Sequence, residues 1–427
     1  MPEEPILTPR QMPHTMVHFE RTKRGDTYYI LHNPDKRSYL AIDEENYFLW
    51  EMMDGEHNLT DLVIAYYQRF GSLPLERLDT LIKQLEENHL IETRTKPTNP
   101  DTETGFIPLL TNLADGTYQR EFDWNQADKW FTRIYESIGH FFFTKAALFA
   151  FLLISVIGII CFIILEPTEE FQLLTFNELY GYGLLILILS GWIVLFWHEA
   201  GHGLACKFFG RKIHKAGMMF YYGMPTFFVD VSDMWMSGRT PRIMVSLAGP
   251  IVNVIIGGII SILAFVLPPS DYTKAMFQAA YIAYLIALLN LNPLLELDGY
   301  YCLMDLLEMP QLRQKSFDFL KTQLIPKLRS GTRFNREEKI YSAYSVLSIV
   351  VTVLILAFVL YIWENELSLM IHDIFSGQDV MVVILLGGLT VLAGSSLVIG
   401  FGARFILYLY RVNDRMLKSG EQGDPKN

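Results

Sequence analysis

Long, unbroken apolar runs constrain this chain more than any other feature. A helix that crosses a bilayer needs about 20 mostly apolar residues, because hydrocarbon offers no partner for an open backbone. Six runs meet this length: about 146–165, 180–203, 243–267, 275–297, 345–363 and 380–402, the last extendable to Tyr410. Composition points the same way. Charged residues make up 19% of the 427 residues, against about 25% in soluble domains. The expected fold class is an α-helical polytopic membrane protein of about six transmembrane helices, with a small N-terminal α+β domain attached.

Lysine and arginine in short loops set the orientation. The loops 166–179 and 364–379 carry none, whereas 204–242 carries six and 298–344 carries eight. This alternation predicts an integral membrane protein with both termini cytoplasmic; the expected location is a bacterial plasma membrane. The second and fourth runs then both end on the cytoplasmic side. The first residues, MPEEPILTPRQMPH, lack the basic start and apolar run of a signal peptide. Of the net charge of −11, residues 1–140 hold −10, from 14 basic against 24 acidic side chains. An acidic soluble part excludes a nucleic-acid partner, which requires a basic face. Three cysteines, all in or beside apolar runs, argue against a disulfide framework and against a cysteine-ligated metal.

Residues 1–100 read as a separate domain. Thr27–Ile30 and Ser38–Ile42 flank the turn-like Asn33-Pro34-Asp35 and predict a hairpin. A helix over Asp43–Met53 follows with Asp43 as N-cap, then one near 61–70 and another over Pro74–Asn88. Residues 94–123 read as a linker. Residues 124–144 read as an amphipathic stretch in the membrane interface, with Trp124, Trp130, Phe131 and Ile138 on it. The run 217–235 is rich in aromatic and β-branched residues and reads as strands, with Asp230 and Asp233 as turn residues.

The chemistry is concentrated in two places. His198-Glu199-Ala200-Gly201-His202 puts two imidazoles one helical turn apart, where both can reach one Zn²⁺, with a glutamate beside them as a candidate base. An ionisable residue in an apolar helix is costly and has a partner or a task. A catalytic zinc needs a third protein ligand and an open position. Asn290-Leu-Asn292-Pro293-Leu-Leu-Glu296-Leu297-Asp298-Gly299 ends the fourth run and offers Asp298, with Glu296 as its rival. Asn253, Asn290 and Asn292 are candidates for holding substrate backbone or an oxyanion, or for bonding between helices.

These motifs resemble the site-2 protease family of intramembrane zinc metalloproteases. HEAGH, then Ala248-Gly249-Pro250-Ile-Val-Asn253, then Asn290-x-x-Pro293-x-x-x-Leu297-Asp298-Gly299 occur in family order over residues 180–305. The resemblance implies a site-2 protease core, one zinc per chain bound by His198, His202 and Asp298, and Glu199 as general base. It implies as substrate a membrane-embedded or membrane-associated peptide or protein. No PDZ-like insertion separates the third and fourth runs. The first domain, through Ser38–Asp43, Asn46–Gly55 and Leu81–Ile91, resembles the PqqD-like winged-helix peptide-recognition fold. That combination resembles the peptide zinc metalloprotease type, linked to peptide maturation or export machinery. The domains expected are 1–100 for peptide recognition, 101–145 for linker and interfacial helix, 146–410 for the metalloprotease core and 411–427 for a cytoplasmic tail. A protein that only bound or exported a peptide on this scaffold would have no need of Glu199.

Overall fold

The computed structural model describes residues 8–21, 27–92, 122–124, 126–166, 180–221 and 224–362. The chain divides into two compact units, one of residues 1–103 with Ser232–Thr240 and one of the remainder.

The first unit is a small sheet packed on helices. Strands β1 (Arg10–Gln11), β2 (Met16–Arg21), β3 (Thr27–Asn33) and β4 (Ser38–Asp43) precede helices α1 (Glu44–Glu51), α2 (Leu59–Phe70) and α3 (Leu75–Glu87), and β5 (Ile91–Glu92) closes the unit. The expected β3–β4 hairpin is present, antiparallel, with Leu31 opposite Leu40. Asn33 makes its turn by accepting from the Asp35 and Lys36 amides through Oδ1. Asp43 caps α1, accepting from the Asn46 amide at 2.8 Å. A capping box starts α2: Asn58 accepts from the Thr60 and Asp61 amides, and Asp61 accepts from the Asn58 amide. Leu31, Leu49, Met53, Leu62 and Leu85 are fully buried together in the core. Strand β2 does not announce itself in the sequence, because Met16, Val17 and Phe19 remain exposed and no alternation marks a buried face. The order β2-β3-β4 makes β3 the central strand. The run 27–42 therefore supplies an edge only through β4, and β2 supplies the other.

The second unit holds the long helices. The described end of the expected linker forms a short strand β6 (Phe122–Asp123), which pairs with β7 (Ala216–Tyr221); β7 pairs in turn with β8 (Met224–Val229). The strand reading of 217–235 thus becomes a hairpin, followed by a 3₁₀ turn at Ser232–Met236. The amphipathic stretch becomes α4 (Ala127–Ile134), which continues through a π-helical turn, Tyr135–Gly139, to Phe142. Then come α5 (Lys145–Leu165), α6 (Tyr180–Phe208), α7 (Arg239–Val266), α8 (Asp271–Asn290), α9 (Asp298–Leu307), α10 (Leu312–Phe319), α11 (Ile325–Ser330) and α12 (Arg336–Ile362).

Among the described residues, three helices rather than the expected six are long and apolar enough to cross a membrane: α5, α7 and α8. The second and fifth runs are helical, as α6 and α12, but are not among the three. The sixth run and the tail 411–427 lie outside the described residues. The fourth run is also shorter than expected. It stops at Asn290, and Asp298 begins a separate helix after an irregular stretch. Pro293 cannot continue a helix, and Asn292 turns the chain by accepting from the Leu294 amide.

Close contact between α5 and α7 depends on two glycines. A Cβ on Gly158 would lie 2.2 Å from the Gly258 Cα, and one on Gly258 would lie 2.9 Å from the Ile154 carbonyl oxygen. Small residues at such a crossing let helix backbones approach in a membrane. Gly158→Leu is therefore expected to lower the thermal unfolding temperature of the purified protein by several degrees. Gly191→Ala, whose Cβ would meet only Ile282 at 3.8 Å, should leave it unchanged. Equal melting curves for Gly158→Leu and the parent would mean that this crossing carries no packing constraint.

Candidate metal centre

Three helices deliver the site. His198 and His202 project from α6, one turn apart, and Asp298 is the first residue of α9. Their ligand atoms converge: His198 Nε2 and His202 Nε2 are 3.1 Å apart, and Asp298 Oδ2 lies 3.0 Å from the first and 3.3 Å from the second. Among the described residues, these three form the group able to hold a metal ion. Glu296, the rival ligand, is exposed and pairs instead with Arg313 at 3.8 Å. Only Leu297 separates it from Asp298, but it lies in the irregular stretch before α9 and points to Arg313 instead.

Helix α7 fixes the protonation pattern of the two rings. His202 Nδ1 is 2.7 Å from the Val245 carbonyl oxygen. A carbonyl only accepts, so Nδ1 carries the proton and Nε2 presents a lone pair. His198 Nδ1 is 3.0 Å from the Asn253 side-chain amide, whose Oδ1 is buried without a partner. With that amide turned over, Nδ1–H of His198 donates to Oδ1. Both Nε2 atoms are then acceptors. Asp298 Oδ2 is likewise buried with no hydrogen bond of acceptable geometry. Three acceptors facing one point repel one another unless a cation lies between them. Their separations of 3.0–3.3 Å match the roughly 3.3 Å between vertices of a tetrahedron with bonds of about 2.0–2.1 Å, the geometry of zinc. The donor set fits the ion.

Gly249 leaves room for this arrangement. A Cβ there would lie 2.4 Å from His202 Nε2 and 2.7 Å from His198 Nε2. Gly299 performs a similar service beside Asp298, where a Cβ would meet the Leu291 carbonyl oxygen at 2.3 Å. A buried ion pair holds α9 on α7: Arg242 donates to Asp305 Oδ1 from Nε at 2.9 Å and from Nη2 at 2.7 Å.

Glu199 stands between the two histidines in sequence and is not one of the converging groups. Its Oε2 accepts from the Val229 amide at 3.0 Å, which fastens the end of β8 to α6. The three asparagines separate. Asn253 touches a ligand ring, whereas Asn290 donates to the Ile286 carbonyl and Asn292 makes the turn described above. Asp233 takes a hydrogen bond from the Tyr39 hydroxyl at 3.5 Å, within the first unit. Sequence reasoning missed the Val245 carbonyl, the Val229 amide and the Arg242–Asp305 pair. Backbone groups leave no residue signature, and a pair 63 positions apart shows no local spacing.

The chain is 30% identical over 134 residues, 31% of its length, to "Putative peptide zinc metalloprotease protein YydH" of Bacillus subtilis (strain 168). The match covers 52% of that protein, so the chain spans about half the length of this relative. No protein-family model matches the chain, and no solved structure does.

The purified protein is expected to hold one zinc per chain by elemental analysis. His202→Ala and Asp298→Ala should each lose most of it, and Glu296→Ala should keep it. Asn253→Ala should weaken zinc affinity by roughly 10–100-fold, as loss of a partner behind a ligand does. Full zinc content in Asp298→Ala would remove that residue from the ligand set.

Proposed function

We propose that this chain is an intramembrane zinc metalloprotease of the site-2 protease type, which hydrolyses a peptide bond of a membrane-associated protein or peptide precursor. The observation that carries this reading is the convergence of His198, His202 and Asp298 with Glu199 next to His198 and outside the ligand set. The name of the related protein, a peptide zinc metalloprotease, supports it. Three apolar helices of spanning length support a membrane setting, and the loop charges favour cytoplasmic termini.

When bound, zinc supplies a Lewis acid that polarises the scissile carbonyl and makes water acidic near neutral pH. His198, His202 and Asp298 would hold the ion through Nε2, Nε2 and Oδ2. Glu199 accepts the proton of the attacking water and delivers it to the leaving amine nitrogen. The Val229 amide, bonded to Oε2, keeps the carboxylate in place and leaves Oε1 for the proton. Val245 and Asn253 keep each imidazole in the tautomer that presents Nε2. Glu199→Gln removes the proton acceptor and preserves the shape. It should retain zinc and fold while cleavage falls by about 10²–10⁴-fold or more. Undiminished turnover in Glu199→Gln would defeat the hydrolytic mechanism.

The first unit, in this reading, is a PqqD-like domain that recruits the substrate. A sheet edge can take an added peptide strand, and β2 offers an edge carrying the exposed Met16, Val17 and Phe19. Tethering raises the local concentration of the scissile segment to roughly millimolar for a short flexible linker. Deleting residues 1–100 should therefore raise KM at least tenfold and change kcat little, as steady-state kinetics would show. A truncated enzyme with unchanged KM would assign this unit a packing role only.

A further inference from the structure

A cavity of about 530 Å³ opens beside Glu199, within the second unit. Its walls come from α4 and the turn after it, from α6 and from the β7–β8 hairpin. Trp130, Ile138, Trp197, Leu204 and Phe227 are among the lining residues, and Glu199 is the ionisable one. The volume falls within the roughly 300–1,000 Å³ of ligand sites, far beyond what one water fills. The wall is anchored rather than incidental. Asp128 of α4 pairs with Lys207 at the end of α6 and accepts from the Ile213 amide at 2.8 Å. Burial alone would raise the Asp128 carboxyl, but the Lys207 and Ile213 hydrogen bonds outweigh it and hold it below its usual range.

We infer that this cavity is the specificity pocket of the proposed protease, and that it takes one large aromatic or aliphatic side chain of a peptide next to the scissile bond. The inference rests on the proposed function. Two features choose a peptide over an acyl chain. The pocket is apolar along its walls and carries a carboxylate at one end, and hydrocarbon against a carboxylate leaves that group unsolvated. A peptide satisfies both parts, burying its side chain among the aromatic rings while its backbone meets the polar end. The position of Glu199 also makes the pocket adjacent to the bond it would act on. The helix that forms one wall, α4, ends 64 positions before His198, so the preference is a property of this fold and not of the motif.

The test uses the full-length, zinc-loaded protein in detergent micelles and a peptide series that varies at one position: Phe, Leu, Ala or Gly. Each peptide carries a dansyl group, so that energy transfer from the cavity tryptophans reads binding, and mass spectrometry of the products reads cleavage. Phe and Leu peptides should bind at least tenfold more tightly than Ala and Gly peptides. Leu204→Trp, which fills the cavity, should reduce that ratio to about one. Trp130→Ala, at an exposed position on the rim, should reduce it without threatening the fold. Preference in binding with no cleavage of any peptide would sink the protease reading and leave the pocket assignment standing. Cleavage with no dependence on side-chain size, or a ratio unchanged in both variants, would overturn the pocket assignment. Quenching of the tryptophans by brominated acyl chains that no peptide displaces would also overturn it, because the occupant would then be a lipid.

Discussion

Mutual repulsion among three buried acceptors is the constraint on which the rest of the second unit depends. His198 Nε2, His202 Nε2 and Asp298 Oδ2 lie 3.0–3.3 Å from one another. Such an arrangement calls for positive charge between its members, which a metal ion would supply, and its members must not drift. The surrounding structure supplies that rigidity. Helix α7 holds each ring from behind through Val245 and Asn253, and Gly249 lets α7 come close enough to do so. The Arg242–Asp305 pair holds α9, and with it Asp298, against the same helix. A buried pair of this kind is costly to form and more costly to break, which suits a positioning role.

The helix that does not supply a ligand is therefore the organiser. Helix α7 touches both histidines, carries the bend-prone Pro250 and packs through Gly258 against α5. Its motif residues Gly249 and Asn253 have separate physical tasks. One is an absence of volume, the other a reversible amide that can accept from an imidazole. Helix α6, by contrast, divides its labour between two sides. Its histidines face α7, and Glu199 faces the β8 strand and the aromatic cavity.

The cavity links the amphipathic stretch to Glu199. The tryptophans of 124–130 suit a membrane interface by their mixed character. In the folded chain Trp124 and Trp130 stack with ring centroids 6.3 Å apart at the cavity wall. An element that reads as an anchor thus also shapes the space beside Glu199.

The sequence by itself determined the local features. The HExxH spacing, the Asp43 cap, the β3–β4 hairpin and the five helical runs that lie among the described residues were legible, because each depends on residues within a few positions of one another. The strand character of 217–235 was legible for the same reason. Tertiary structure alone decided the rest. It chose Asp298 over Glu296, since the break at Leu291–Leu297 sets which carboxylate meets the imidazoles. It ended the helix of the fourth apolar run, α8, at Asn290 and identified β2 and β4 as the sheet edges. It recruited Val245 and Val229 through backbone atoms that every residue shares. Spacing along a chain encodes which side chains share a helix face or strand face. Which faces meet, and which main-chain groups lie between them, is fixed only when segments tens of residues apart pack together.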